Sequence, residues 1–401
     1  MLNQLMINRV RQRLQAYDLP VAIELWNGEN VLPAPSPRVR VRLHKPASLK
    51  ALAQPSLGAL ARAYVEGELD LEGDIRDILS MGDSFCQAGN CKSALTNRSA
   101  NWWPRKKTDA RKNIQYHYDV SNAFYALWLD TRRIYSCAYF RDAEMTLDTA
   151  QVAKLDHICR KLNLQPGEDF LDIGCGWGGL ILHAVEHYGV NATGVTLSQE
   201  QFDYVNEILT ERKLHDRIKV HLINFQDMPN TQQYDKIASV GMFEHVGRAN
   251  MKAYFDQVNA LLKPGGLVLN HGITAAALDT QGLGSGISEF IGDYVFPGGE
   301  LLHISEVMRA ATGSQLECLD AENLRPHYGQ TLWHWVSRLE AQADKARSLI
   351  GEQKYRIWRI YMGGSAYAFD HGWMELWQVL AGKAVNGVQK AYPFQRTYQY
   401  R

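Results

Sequence analysis

The stretch SVGMFEHVG, residues 239–247, sets a carboxylate, Glu244, beside an imidazole, His245, at the end of an apolar run. A carboxylate in such a place serves as a general base, a metal ligand or an anchor for another group. A second carboxylate, Asp172, stands two residues before Gly174 in LDIGCGWGG, where Gly174, Gly176 and Gly179 form a G-x-G-x-x-G pattern. Glycines between a strand and a helix let a ligand approach the backbone, which by itself does not identify the ligand. A dinucleotide site would add Asp or Glu at the end of the next strand to hold a ribose. Here that place reads Thr196, Leu197, Ser198. A carboxylate at 172 repels a pyrophosphate and attracts an amine. S-adenosylmethionine, with an amine, a sulfonium and no phosphate, therefore suits the segment better than NAD, and a turn without a ligand is the third reading. Cys137 paired with a histidine would be a rival nucleophile, but no G-x-S-x-G signature accompanies it. His183, His187, Cys137 and Cys175 lack the spacing of metal ligands.

The elements that must position these groups alternate from about residue 145 onward. Apolar residues at helical spacing in TLDTAQVAKLDHICRKLNL precede the strand DFLDIGCG. LILHAVEHYG reads as a helix stopped by Gly189, NATGVTLS as a second strand, and QEQFDYVNEILTERKL as a helix. IKVHLINF and YDKIASVGMF are a third and fourth strand, and MKAYFDQVNALLKPGGLVLNHGI is a helix, a PGG turn and a fifth. Strands separated by helices imply a parallel sheet covered on both faces, with ligands beyond the carboxyl ends of the strands. Residues 172–178, 196–198 and 225–227, Glu244 and His271 then share one rim.

Residues 1–100 read as a smaller α+β unit, with alternation in VRVRLHKP and helical patterns over 56–79. Residues 101–115 read as a basic linker, and 116–401 as the catalytic domain. Trp102 and Trp103, followed by five basic residues within 105–112, would suit an anionic membrane surface; a solvated connector is the plainer reading. The formal net charge of zero gives no global field to attract nucleic acid. No apolar run approaches the roughly 18 residues of a transmembrane helix. The N-terminus is amphipathic and lacks the apolar core of a signal peptide. The six cysteines contain no C-x-x-C pair, which fits a reduced, cytoplasmic protein.

The segments YSCAYF, LDIGCGWGG, TLSQEQ, GMFEHVG, NHGI, YVFPGGEL and LRPHYGQTLWHW occur in the order found in cyclopropane-fatty-acyl-phospholipid synthases. The chain resembles that family, which includes the mycolic acid cyclopropane synthases, over roughly residues 110–401. The resemblance implies a class I S-adenosylmethionine-dependent methyltransferase fold, Rossmann-like with a seven-stranded sheet. It implies methylene transfer from S-adenosylmethionine to the cis double bond of a phospholipid acyl chain, at the inner membrane surface, and leaves room for a homodimer. Tyr135 and Ser136 would contact the cofactor, and Asp172, Gly174, Gly176 and Gly178 would line its methionine half. Thr196, Leu197 and Gln201 would reach the ribose, and Phe225 and Gln226 the adenine. A bicarbonate ion would be held by Cys137, Glu244, His271, the backbone of Ile273, and Tyr328. On that implication Glu244 holds the base, protonated His271 donates to it, and His245 points elsewhere as a structural histidine. Alkene attack on a sulfonium methyl leaves a carbocation, which the aromatic faces of Tyr135, Phe140, Tyr328, Trp333 or Trp335 would stabilise. In one place the chain departs from the family: GGSAYAF has Ser365 where many members carry a cysteine. A fatty-acyl methyltransferase giving a methyl-branched or unsaturated product, and a catalytically silent lipid-binding protein, are the alternatives.

Overall fold

The computed structural model describes residues 2–16, 21–32, 36–53, 55–88, 121–278, 286–295, 300–385 and 393–400. Trp102, Trp103 and the basic residues of 105–112 lie outside the described residues. The chain forms two compact units. The first comprises Met1–Lys107, Gln281–Pro297 and Trp335–Trp373, and the second Thr108–Thr280, Gly298–His334 and Met374–Arg401. This grouping is not the contiguous division at 1–100, 101–115 and 116–401, because two later segments pack with the N-terminal region.

The first unit holds a four-stranded sheet of β1 (Val21–Glu24), β2 (Asn30–Leu32), β3 (Val39–Leu43) and β4 (Leu69–Gly73), in the order β2-β1-β3-β4. The stretch 56–79 is not continuously helical. Gly67, at φ 68°, turns the chain out of the helix Leu57–Val65, and β4 follows before the helix Ile75–Ala88. Gly58 has no room for a side chain: a Cβ there would meet the carbonyl oxygen of Gly286 at 1.9 Å. The helix Ala343–Asp370 sends Arg356 to Asp70 at 2.7 Å and Arg359 to Glu340 at 2.7 Å, with both guanidiniums against the ring of Tyr64.

The second unit is built on a seven-stranded sheet of β5 (Asp169–Ile173), β6 (Asn191–Thr196), β7 (Ile218–Leu222), β8 (Tyr234–Val240), β9 (Leu262–Ala275), β10 (Leu316–Asn323) and β11 (Met374–Lys383). The order is β10-β11-β9-β8-β5-β6-β7. β5 to β9 pair in parallel, and β11 is antiparallel to both neighbours. The parallel core, the switch of direction from β5 to neighbours on either side and the antiparallel β11 make this the class I methyltransferase fold. β9 begins at Leu262, before the PGG that reads as a turn. Gly265 takes φ 81° and the register with β8 shifts there, so the glycines make a bulge inside the strand.

Alternation along the strands fills both faces. Phe170, Leu267 and Leu269 pack with Leu155, Ile158 and Ile181 from the helices Leu147–Lys161 and Gly179–Tyr188. Leu171, Ile173 and Val268 pack on the other side with Tyr254, Phe255 and Val258 from the helix Met251–Leu261. Each fully buried Leu or Ile contributes about 1.5–3 kcal/mol, so the two layers pin the strand ends that carry the site. Helix starts are fixed locally: Thr146 caps Leu147–Lys161 through Thr149 N–H, and Ser198 caps Gln199–Arg212 through Gln201 N–H.

Candidate active site

A cavity opens at the carboxyl ends of β5, β6 and β8. Tyr135 and Ser136 form one wall; Asp172, Gly174 and Gly176 follow β5; Thr196, Leu197 and Gln201 follow β6; Phe225 closes the far end. Thr196 Oγ1 donates to Gln201 Oε1 at 2.8 Å, which ties the strand end to the first turn of the next helix. Gly174 and Gly176 need their left-handed backbone, φ 83° and 54°. A Cβ on Gly176 would meet no protein atom within 4 Å.

Two residues expected in this set lie elsewhere. Gly178 caps the helix Gly179–Tyr188 at φ 82°, and its missing side chain makes room for Val205 rather than for a ligand. Gln226 is exposed on the short turn Phe225–Asp227, where its N–H is held by Asn224 Oδ1 at 3.1 Å; Ile223 and Asn224 line the cavity instead. His245 does not face away: it lines the cavity, and burial pulls its imidazole down to about 4, so it is neutral.

Sequence reading missed Lys154. It sits on the helix Leu147–Lys161, 2% exposed, lines the cavity and donates to Ser136 Oγ at 2.9 Å. The available signal was a lysine three and four residues from Gln151 and Ala150 on the apolar face of that helix. Asp172 is also buried, and its Oδ1 has no hydrogen-bond partner. Burial pushes its carboxyl up to about 7, with the Lys154 charge pulling the other way. An unpaired buried oxygen costs about 1–3 kcal/mol, and an amine in the cavity would remove that cost. The residues present therefore fit a cofactor with a cationic amine.

A second cluster lies along β9. The turn Phe243–His245 places Glu244 so that its Oε1 accepts from Ile273 N–H at 2.7 Å, while Oε2 has no partner. Burial pushes Glu244 up to about 7, partly offset by that N–H. His271, two residues earlier on the same strand, faces Gln378 across the β9–β11 pairing, with Gln378 Nε2 at 3.1 Å from Nδ1. The amide nitrogen donates, so Nδ1 accepts and Nε2 carries the proton. Nε2 also has no partner. Burial holds His271 well below its ordinary value, so it is a neutral donor and not the protonated one expected.

Cys137 is wholly buried, its Sγ 3.2 Å from the carbonyl oxygen of Ala138. Burial pushes its thiol up, which removes the thiolate nucleophile as a rival. Tyr328 is 8% exposed on the helix Arg325–Ala341, whose Thr331 accepts from Ala138 N–H at 3.0 Å. That bond holds the segment bearing Tyr135, Ser136 and Cys137 against the helix. Glu244 with Ile273, and His271 with Gln378, are direct pairs.

The aromatic candidates separate. Tyr135 packs against Tyr125 and Trp128 at ring distances of 5.8 and 5.4 Å, and Tyr125 packs on Trp177 at 4.9 Å. Phe140 stacks on His334 at 5.6 Å. Trp335 belongs to the first unit, as does Ser365, half-buried on the helix Ala343–Asp370. Among the described residues no group of His, Cys, Asp and Glu has the arrangement of a metal site.

Comparison with known proteins supplies the family. Residues 105–379 match the family described as mycolic acid cyclopropane synthetase, and residues 11–88 match a domain of unknown function. A probable fatty acid methyltransferase of Pseudomonas putida is 43% identical over 399 residues, 99% of this chain and 100% of that protein. Cyclopropane mycolic acid synthase 1 of Mycobacterium tuberculosis is 36% identical over 68% of this chain and 96% of its own. The crystal structure of mycolic acid cyclopropane synthase CmaA1, complexed with SAH and CTAB, superposes with a TM-score of 0.65 at 35% identity, covering 69% of this chain and 99% of that one. With its sheet order, its cavity at the strand ends and these matches, the chain belongs to the mycolic acid cyclopropane synthetase family.

Proposed function

We propose that this chain transfers a one-carbon unit from S-adenosyl-L-methionine to the cis double bond of an unsaturated phospholipid acyl chain and closes it to a cyclopropane ring. The observation that carries the reading is the unpartnered oxygen of Asp172 in the cavity, aided by the unpartnered Glu244 Oε2 and His271 Nε2. When bound, S-adenosyl-L-methionine would supply an electrophilic methyl group to the alkene, the sulfur keeping the electron pair of the broken C–S bond in S-adenosyl-L-homocysteine and the positive charge passing to the acyl chain. Asp172 receives the ammonium group, the glycines admit the ligand backbone, and Thr196 with Gln201 faces the ribose. Tyr135, half-buried and backed by Tyr125 and Trp128, offers an aromatic face to positive charge; such a face contributes about 0.5–2 kcal/mol.

Bicarbonate would be held by Cys137, Glu244, His271 and Tyr328, the backbone N–H of Ile273 being committed to Glu244 and not to the ion as expected, and would supply an exchangeable base for the proton lost on ring closure. Glu244 accepts a hydrogen bond with its free oxygen, and neutral His271 and the Cys137 thiol donate. Glu244 is thus an anchor for the base and not the proton acceptor. The protein works as a peripheral enzyme at an anionic cytoplasmic membrane surface, and no helix among the described residues is long and apolar enough to cross a membrane.

A second reading is a fatty-acyl methyltransferase whose product is methyl-branched or unsaturated. The full-length match to the probable fatty acid methyltransferase favours it. Mass spectrometry of lipids from cells expressing the chain separates the two. A gain of one CH2 that resists ozonolysis is the cyclopropane; a gain that still cleaves is the unsaturated product. Unchanged lipids overturn both.

A further inference from the structure

Two residues one turn apart on the helix Leu147–Lys161 reach the same strip of cavity wall. Gln151 Nε2 donates to the carbonyl oxygen of Ser136 at 2.9 Å, and Lys154 Nζ donates to Ser136 Oγ at 2.9 Å. Lys154 is buried within electrostatic reach of Asp130, Cys137, Asp172 and Cys159, and His271 feels its charge as well. The two thiols are held protonated by burial, and His271 is neutral. Asp130 is already committed, its two oxygens accepting from Ile134 N–H at 2.7 Å and Arg132 N–H at 3.0 Å. Asp172 is the member with an oxygen to spare. Arg133, Cys175 and neutral His245 complete the titratable groups around the cavity, besides Tyr135. Among the groups in electrostatic reach of Lys154, two carboxylates against one ammonium leave a single negative charge, since the Arg133 guanidinium on the cavity wall lies over the ring of Tyr204 at 4.3 Å. That sum matches one incoming cation.

We infer that Lys154 is a positioning residue for the cofactor: it fixes the wall through Ser136 and supplies the buried positive charge that favours the Asp172 anion, the partner for the cofactor's ammonium group. The inference rests on the cofactor reading above. A lysine in this place has two sides. Its charge favours the ionised Asp172 in the empty cavity, and its own hold on a proton is weak, because burial pulls it down to about 8.

The test is calorimetric titration of the full chain with S-adenosyl-L-homocysteine between pH 6 and 9. Wild-type affinity should rise with pH through about 7, as Asp172 ionises. Lys154→Gln should move that rise to higher pH and lose about tenfold in affinity at pH 6, one pKa unit's worth. The two curves should meet by pH 9, where the wild-type lysine has lost its own proton. Lys154→Arg should restore affinity at pH 6. A Lys154→Gln profile superimposed on the wild type overturns the inference and leaves the cofactor reading standing. Absence of wild-type binding at every pH overturns the cofactor reading itself. Should Lys154→Gln fail to fold, Lys154→Met, which keeps the buried stem without the charge, takes its place with the same expected and overturning profiles.

Discussion

Glu244 and Ile273 are joined by one short bond, Oε1 to the backbone N–H at 2.7 Å, which leaves Oε2 buried without a partner. A strand N–H spent on a side chain and a carboxylate half satisfied make a holder for something else. The groups around it decide what each substitution should do.

Glu244→Gln keeps the shape and removes the anionic acceptor. Turnover should fall by about a hundredfold or more, the range seen when an acid–base apparatus is disabled, while S-adenosyl-L-homocysteine binding stays near wild type. The wild-type carboxylate is charged above about pH 7 and neutral below, so the wild-type rate should decline as pH falls through 7. With the cofactor saturating, so that Asp172 does not contribute, the variant should lack that limb. Depleting bicarbonate should slow the wild type and adding it should restore the rate. Wild-type turnover in the variant, with no response to depletion, sinks the holding role.

Gly272→Ala tests the same turn from behind. Its Cβ would stand 2.1 Å from Phe243 Cε1 and 2.8 Å from Glu244 Oε1, so the turn must shift. Overpacking of this kind costs about 1–3 kcal/mol. We expect a lower melting temperature and a loss of activity comparable to that of Glu244→Gln, checked by calorimetry and turnover. Unchanged activity means the turn tolerates displacement.

Asp172→Asn should trade stability against binding. The carboxyl is raised in the folded protein, so its ionisation opposes folding: the cost is absent near pH 4, grows as pH rises, and is complete above about 7. The variant without ligand should melt higher than wild type at pH 8, by up to a few kcal/mol, with no gain at pH 4. Binding of S-adenosyl-L-homocysteine should be lost. A variant that melts lower at pH 8 contradicts the burial argument.

Gly176→Val puts a branched side chain where nothing lies within 4 Å, at a backbone φ of 54°. Strain of about 1–3 kcal/mol and occupation of the cavity should abolish cofactor binding in titration while the protein remains folded by circular dichroism. Retained binding would move the ligand backbone away from this loop.

Neutralising the basic residues of 105–112 should weaken sedimentation with anionic vesicles at low salt, and added salt should weaken the wild type similarly. Normal sedimentation of the neutralised chain makes the stretch a connector.

The sheet was readable because both of its signals are local. The cores of β5 and β8, 170–173 and 237–240, are mostly apolar, and Gly189 and Ser198 punctuate the helices between them. The glycine loop and Asp172 were readable for the same reason. Lys154 was not, since only the fold shows that a lysine on an apolar helix face ends at Ser136. His271 was placed on the rim by the strand pattern and given its role by resemblance, yet its charge state depends on burial and on Gln378, more than a hundred residues away. Gln226 and Gly178 were misplaced because neighbouring residues in a turn point in different directions, and spacing alone does not resolve which one faces the cavity. The 56–79 stretch misled because apolar spacing continues through Gly67 while the backbone does not.

Gln378 arrives on β11, after the chain has left β10 and passed through Trp335–Trp373, which packs with the first unit. During synthesis His271 is laid down early and its orienting partner emerges about a hundred residues later. A nascent chain stopped before β11 has the cofactor loops of β5, β6 and β8 in hand but a histidine free to turn. On the proposed function, a chain stopped before β11 would carry the strand ends that line the cavity but lack the amide that orients His271.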